Sequence, residues 1–163
     1  MESILLVPVN TIKNKSYVNS NVEDNVISTT IIRYQETVLM TILGRAFYNY
    51  LTDASKNNSL TTSDIELITN YISRCIIAGV DYRILVHLKT EVRANGLVQV
   101  NGQASKPDTT QLLDMNLKDA NFYEEELRNY ICENADSFPD HKNNCGCCKS
   151  KNKSTSINNF IIV

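Results

Sequence analysis

Apolar residues recur at steps of three and four along three stretches of this chain, and polar runs separate them. That spacing is the signature of amphipathic helices. In the first stretch, residues 22–51, Ile27, Ile31, Tyr34, Val38 and Ile42 form one stripe, with Leu39, Leu43, Phe47 and Leu51 beside it. The β-branched run "STTII" predicts a bend in so long a helix, and Gly44 predicts a close approach of another backbone. The run "TDASKNNSLTTSD" reads as a loop, and "TTSDIE" carries a capping signature for the next helix.

The second helix is predicted over residues 63–94. Its buried stripe is read as Ile65, Ile68, Ile72, Cys75, Ile76, Gly79, Tyr82 and Val86, with Gly79 marking tight packing or a kink and Gly96 a C-cap. Residues 97–108 then change period. "LVQV" alternates, Asn101-Gly102 is a turn signal and Pro107 follows, which predicts a strand and loop or a short hairpin. A third helix starts at about residue 109 or 117 and runs to 134, with Leu113, Leu117, Ala120, Tyr123, Leu127, Tyr130 and Ile131 as its stripe.

The two ends read differently. Residues 1–21 are predicted as an extended arm, because Pro8 interrupts the apolar "SILLVPVNTI". From Ala135 the periodicity stops, and residues 135–163 read as an Asn-, Lys- and Ser-rich linker ending in apolar "FIIV". The expected fold is therefore mainly α: a helical bundle spanning 22–134, with a short strand or hairpin insertion and extended termini. Leu39, Leu43, Phe47, Ile68, Ile72, Ile76, Leu85, Leu117, Leu127 and Ile131 are its expected core.

Composition changes this picture little. The 163 residues carry a net charge of −2, so nothing biases the whole chain toward nucleic acid or membrane. No apolar run approaches the ~18 residues of a membrane span, and "ILLVPV" lacks the features of a secretory leader. The five cysteines are odd in number and clustered, unlike a disulfide framework. These features predict a cytosolic chain, or one assembled in a cytosol.

Candidate chemistry is sparse. His87 and Glu91 lie four residues apart on the expected second helix, but no nucleophile or phosphate-binding turn accompanies them. His87 reads as a surface histidine, Cys75 as core, and Glu124–Glu126 as a solvated face, while Cys132 is ambiguous. His141, Cys145, Cys147 and Cys148 number enough for a zinc site. Adjacent cysteines chelate poorly, however, and a second C-x₂-C pair is absent. The reading is no metal, no cofactor and no catalytic residue, with the cysteines as passengers on a linker.

The order of parts resembles a known family. The chain strings together "SNVEDN", "IIRYQETVLMTILGRAFYNYL", "LKTEVRANGLVQV", a "KPD" loop and "DANFYEEELRNYI". Over roughly residues 4–134 this is similar to the head–tail connector (adaptor or neck ring) proteins of tailed bacteriophages, in particular those of crAss-like phages. The residues that carry the likeness are Gln35, Leu39, Ile42-Leu43-Gly44, Phe47-Tyr48 and Leu51, with the Gly-Leu-Val strand after the second helix. The "CGCC" cluster has no counterpart in that pattern.

The resemblance implies a structural virion protein, not an enzyme. Such a protein is assembled in the host bacterial cytoplasm as a ring, commonly twelvefold, below the portal protein. The ring joins the portal to further neck or tail proteins and lines the channel through which DNA passes without sequence specificity. Leu97, Val98 and Val100 are then expected at a subunit interface. Ile157, Phe160, Ile161, Ile162 and Val163 are expected to dock on a partner. The rival readings are a generic helical interaction module and a small metal-binding regulator using the C-terminal cysteines.

Overall fold

The computed structural model describes residues 4–16, 22–93, 96–99 and 109–138. The fold is mainly helical. α1 (Val9–Lys15) precedes α2 (Asp24–Tyr34), a π-helical turn (Gln35–Leu39), α3 (Met40–Leu43) and α4 (Arg45–Lys56). α5 (Thr62–Leu67), a second π-helical turn (Ile68–Ile72) and α6 (Ser73–Lys89) follow. β1 (Thr90–Arg93), β2 (Gly96–Gln99) and α7 (Thr109–Glu133) complete the described chain. α6 is the central element, packed against both α2 and α7.

The first long stretch is helical, as the periodicity predicts, but it is three segments. In the π turn the apolar step lengthens to five residues, so Tyr34 and Leu39 are both buried. Gly44 sits between α3 and α4 with φ 77°, a backbone that L side chains rarely adopt. It is therefore a joint, not the interior contact point expected of it. α4 continues five residues past the expected end at 51, because "TDASK" completes an amphipathic turn that buries Leu51 and Ala54.

The capping signature is real. Thr61 Oγ1 accepts from the Asp64 backbone N–H at 3.2 Å, and the Asp64 carboxylate accepts from the Thr61 N–H at 2.9 Å. Tyr50 adds a bond from outside the cap by donating to Asp64 Oδ2 at 2.8 Å, which explains how that carboxylate is buried.

The second stretch also hides a π turn. Leu67 and Ile72, five residues apart, both point into the core, whereas Ile65 is 53% exposed and Ile68 only partly buried. Further along, the core face runs through Ile76, Val80 and Ile84, leaving Val86 exposed and Tyr82 and Leu85 half-buried. α6 is apolar on more than one side because helices cover two of its faces, so periodicity alone could not choose the inward one. Leu117 of α7 is likewise exposed. Leu39, Leu43, Phe47, Ile72, Ile76, Leu127 and Ile131 are buried as expected.

The second helix ends at Lys89, five residues early, and the chain enters an antiparallel hairpin. Thr90 pairs with Gln99, Glu91 with Val98, Val92 with Leu97 and Arg93 with Gly96. Gly96 is thus a strand residue rather than a helix cap. The ladder ends at the Arg93–Gly96 pair, and Asn101-Gly102, the expected turn, lies outside the described residues. α7 takes the earlier of the two expected starts.

Both ends of the domain extend beyond their expected limits. The N-terminal arm is not simply extended: Pro8 precedes α1, where its missing N–H costs nothing. Leu6, Val7 and Ile12 are core residues. Lys13 and Asp24 form an ion pair across to α2. At the other end Phe138 is 1% exposed and lies 5.4 Å from the Phe47 ring, so the folded domain reaches past residue 134.

Candidate functional site

Two concave surfaces flank α6. The first is a cleft of about 410 Å³ where α1, the second π turn, α6 and α7 converge. Lys15, Asn70, Ser73, Arg74, Asp81, Asn116 and Asp119 give it mixed charge and many donors and acceptors. Ser73, Asp81 and Asn116 are themselves buried. Asn116 donates to the Leu112 carbonyl at 2.8 Å, so its amide is fixed. A small polar group or an inserted side chain of another protein fits such a lining. This cleft was not foreseen. The available signal was Asp81, an acid inside the otherwise apolar run "CIIAGVDY".

The second is a groove of about 390 Å³ lined by Asn25, Val26, Thr29, Thr30, Arg33, Arg83 and His87, from α2 and α6. Two arginines and a histidine face it, and none of its described lining residues is acidic. Arg83 is held in place: its guanidinium lies 5.1 Å from the Tyr34 ring centre and donates to Thr37 Oγ1 at 2.9 Å. Arg33 and His87 are exposed. Glu91 lies in β1, so it and His87 do not share a helix face.

Between the two surfaces lies a buried polar node. Tyr34 of α2 donates to Glu124 of α7 at 2.9 Å, and its hydroxyl is 3.3 Å from Cys75 Sγ on α6. The ring fits only because residue 79 is glycine, since a Cβ there would overlap it. Burial raises the Tyr34 phenol far above its usual range and pushes the Cys75 thiol up to about 12. Cys75 is therefore a protonated thiol at neutral pH. Its setting is a packing one, opposite to that of a thiolate nucleophile.

The residues singled out from sequence are not brought together into one site. Leu97 and Val98 are in β2, paired with Val92 and Glu91, and Val100 lies outside the described residues. His141, Cys145, Cys147 and Cys148 lie outside them as well, as do Ile157, Phe160, Ile161, Ile162 and Val163. Among the described residues, no cluster of His, Cys, Asp and Glu has a geometry that could hold a metal ion. Also among the described residues, no helix is long and apolar enough to cross a membrane.

The family described as "Family of unknown function (DUF6712)" matches residues 39–151, from the end of the first π turn through α7 and beyond. The chain belongs to that family. No curated protein and no solved structure matches it.

Proposed function

We propose that this chain is a structural connector of a tailed-phage neck, a ring-forming protein that joins the portal to the next neck or tail component. The observation that carries the reading is the hairpin at the end of α6. Among the described residues β1 and β2 pair only with each other, and in this reading their outer edges pair with another chain. An isolated two-stranded ribbon is marginally stable in water and gains from such pairing. The helical body and the sequence likeness over residues 4–134 agree with this role.

In this reading Leu97, Val98 and Val100 lie at the contact between neighbouring subunits of a ring, commonly twelvefold in such proteins. Ile157 and Phe160–Val163 anchor on the portal, where burial of each side chain is worth about 1.5–3 kcal/mol before ordering costs. The protein acts by binding and assembly, without catalysis or a cofactor, in the virion neck around passing DNA. The test is reconstitution with the cognate portal followed by imaging. A ring seated on the portal is the expected result. A chain that neither forms rings nor joins the portal refutes the reading. Lys or Glu at Val98 and Val100 is expected to prevent ring formation while leaving helix content unchanged.

A further inference from the structure

We infer that neighbouring copies meet through two unlike faces: the outward face of α7 on one copy, and the groove between α2 and α6 on the next. The inference rests on the connector reading and gives it a second, residue-level contact besides the hairpin.

The α7 face is unusual for a solvent-facing helix surface. Met115 and Phe122 are 61% and 57% exposed, and Leu112 is 41% exposed. With Asp119 and Glu126 they follow steps of three, four, three and four, so all five lie along one side of the helix. Large apolar side chains concentrated on one exposed stripe mark a contact surface. The stripe also changes character along its length. Its N-terminal half is apolar and its C-terminal end is acidic, where Glu125 and Glu126 are both exposed. Neither glutamate has an ion-pair partner among the described residues.

The groove supplies the opposite charge on a separate part of the molecule. Arg33, Arg83 and His87 line it and none of its described lining residues comes from α7, so one copy can use both faces at once. Arg83 is pre-positioned by the Tyr34 ring and Thr37, which lowers the entropy lost when it pairs. Val26 and the methyl groups of Thr29 and Thr30 provide apolar surface beside the charges.

Two different, complementary faces on one chain generate a head-to-tail arrangement, which closes into a ring if the rotation allows. Self-pairing of α7 in parallel would set acid against acid. A DNA phosphate strand is the other occupant such a groove could take. The chain's net charge of −2 and the apolar stripe beside the acids favour a second copy.

The experiment is a charge swap read by light scattering and by imaging on the portal. One variant carries E125R and E126R; the other carries R33E and H87E. All four positions are exposed, so circular dichroism should match the wild type. Each variant alone should lose self-association at least about tenfold. Mixing the two should restore it, because the reversed glutamate face can meet the reversed groove. Failure of the mixture to restore association overturns the inference, as does wild-type association by either variant. So does a groove variant whose only loss is in binding duplex DNA. If both variants still form rings on the portal, these faces are wrong and the connector reading stands. A wild type that stays monomeric alone and on the portal removes both.

Discussion

The two long helical runs are interrupted in the same way but held by different means. Each carries a five-residue π turn, Gln35–Leu39 in the first and Ile68–Ile72 in the second. The first is fixed from inside. The Gln35 side chain is 1% exposed, accepts from the Leu6 N–H at 2.9 Å and donates to the Ile4 carbonyl at 2.9 Å and to Tyr48 Oη at 3.3 Å. The second is fixed at its rim, where the Tyr71 ring stacks on Tyr130 of α7 with centres 3.8 Å apart. The first run also breaks outright at Gly44, while the second continues unbroken to Lys89. A π turn costs regular hydrogen bonding, so each must be compensated by tertiary contact. The first is compensated by the N-terminal arm and the second by the last long helix.

This contrast can be broken most forcefully just beyond the first turn. Leu43 is fully buried, and L43A should cost about 2–5 kcal/mol by leaving a cavity. Chemical denaturation measures it, and a loss below about half a kcal/mol would mean that α3 is not a core element. The junction between the runs offers a pH test. Cys75 and Tyr34 both hold their protons more tightly folded than unfolded. Stability should be intact below the ordinary thiol value near 9. It should fall as pH rises toward about 12, by up to about 1.4 kcal/mol per unit for each such group. A denaturation midpoint that stays flat from pH 8 to 11 would contradict this.

Smaller effects distinguish the two means of support. Q35A strands the arm's backbone groups and should cost about 1–3 kcal/mol, with faster amide exchange at Leu6. Unchanged exchange there would show the arm to be held by its apolar side chains alone. Y71A removes the ring stack and should cost about 0.5–1.5 kcal/mol beyond lost area, leaving the arm's exchange untouched.

What was legible in the sequence follows the same division. Leu39, Leu43, Phe47, Ile72 and Leu127 declare themselves by spacing, and Thr61 with Asp64 by local capping chemistry. The π turns do not, because a five-residue step looks like noise in a 3.6-residue period, and so Ile65 was misplaced. The helix end at Lys89 was hidden because Glu91 and Arg93 are good helix formers, drawn into β1 by pairing with Gly96–Gln99. The short α1 follows a proline that, from sequence, reads as a breaker. The cleft around Asp81 depends on three elements distant in sequence, and the cationic groove on two. Each gathers residues whose local settings are unremarkable.

The Gln35 amide presents the same donor and acceptor as a peptide group, so it grips the arm by main chain alone. Which side chains stand at positions 4 and 6 is immaterial to those two bonds. The arm can therefore be rewritten there within the limits set by packing of Leu6, and still be held. Proline is the exception at position 6, because it removes the N–H that Gln35 Oε1 receives. For anyone re-engineering this arm, the practical consequence is that the side chains at 4 and 6 can change, but the register of residues 4–6 relative to Gln35 cannot.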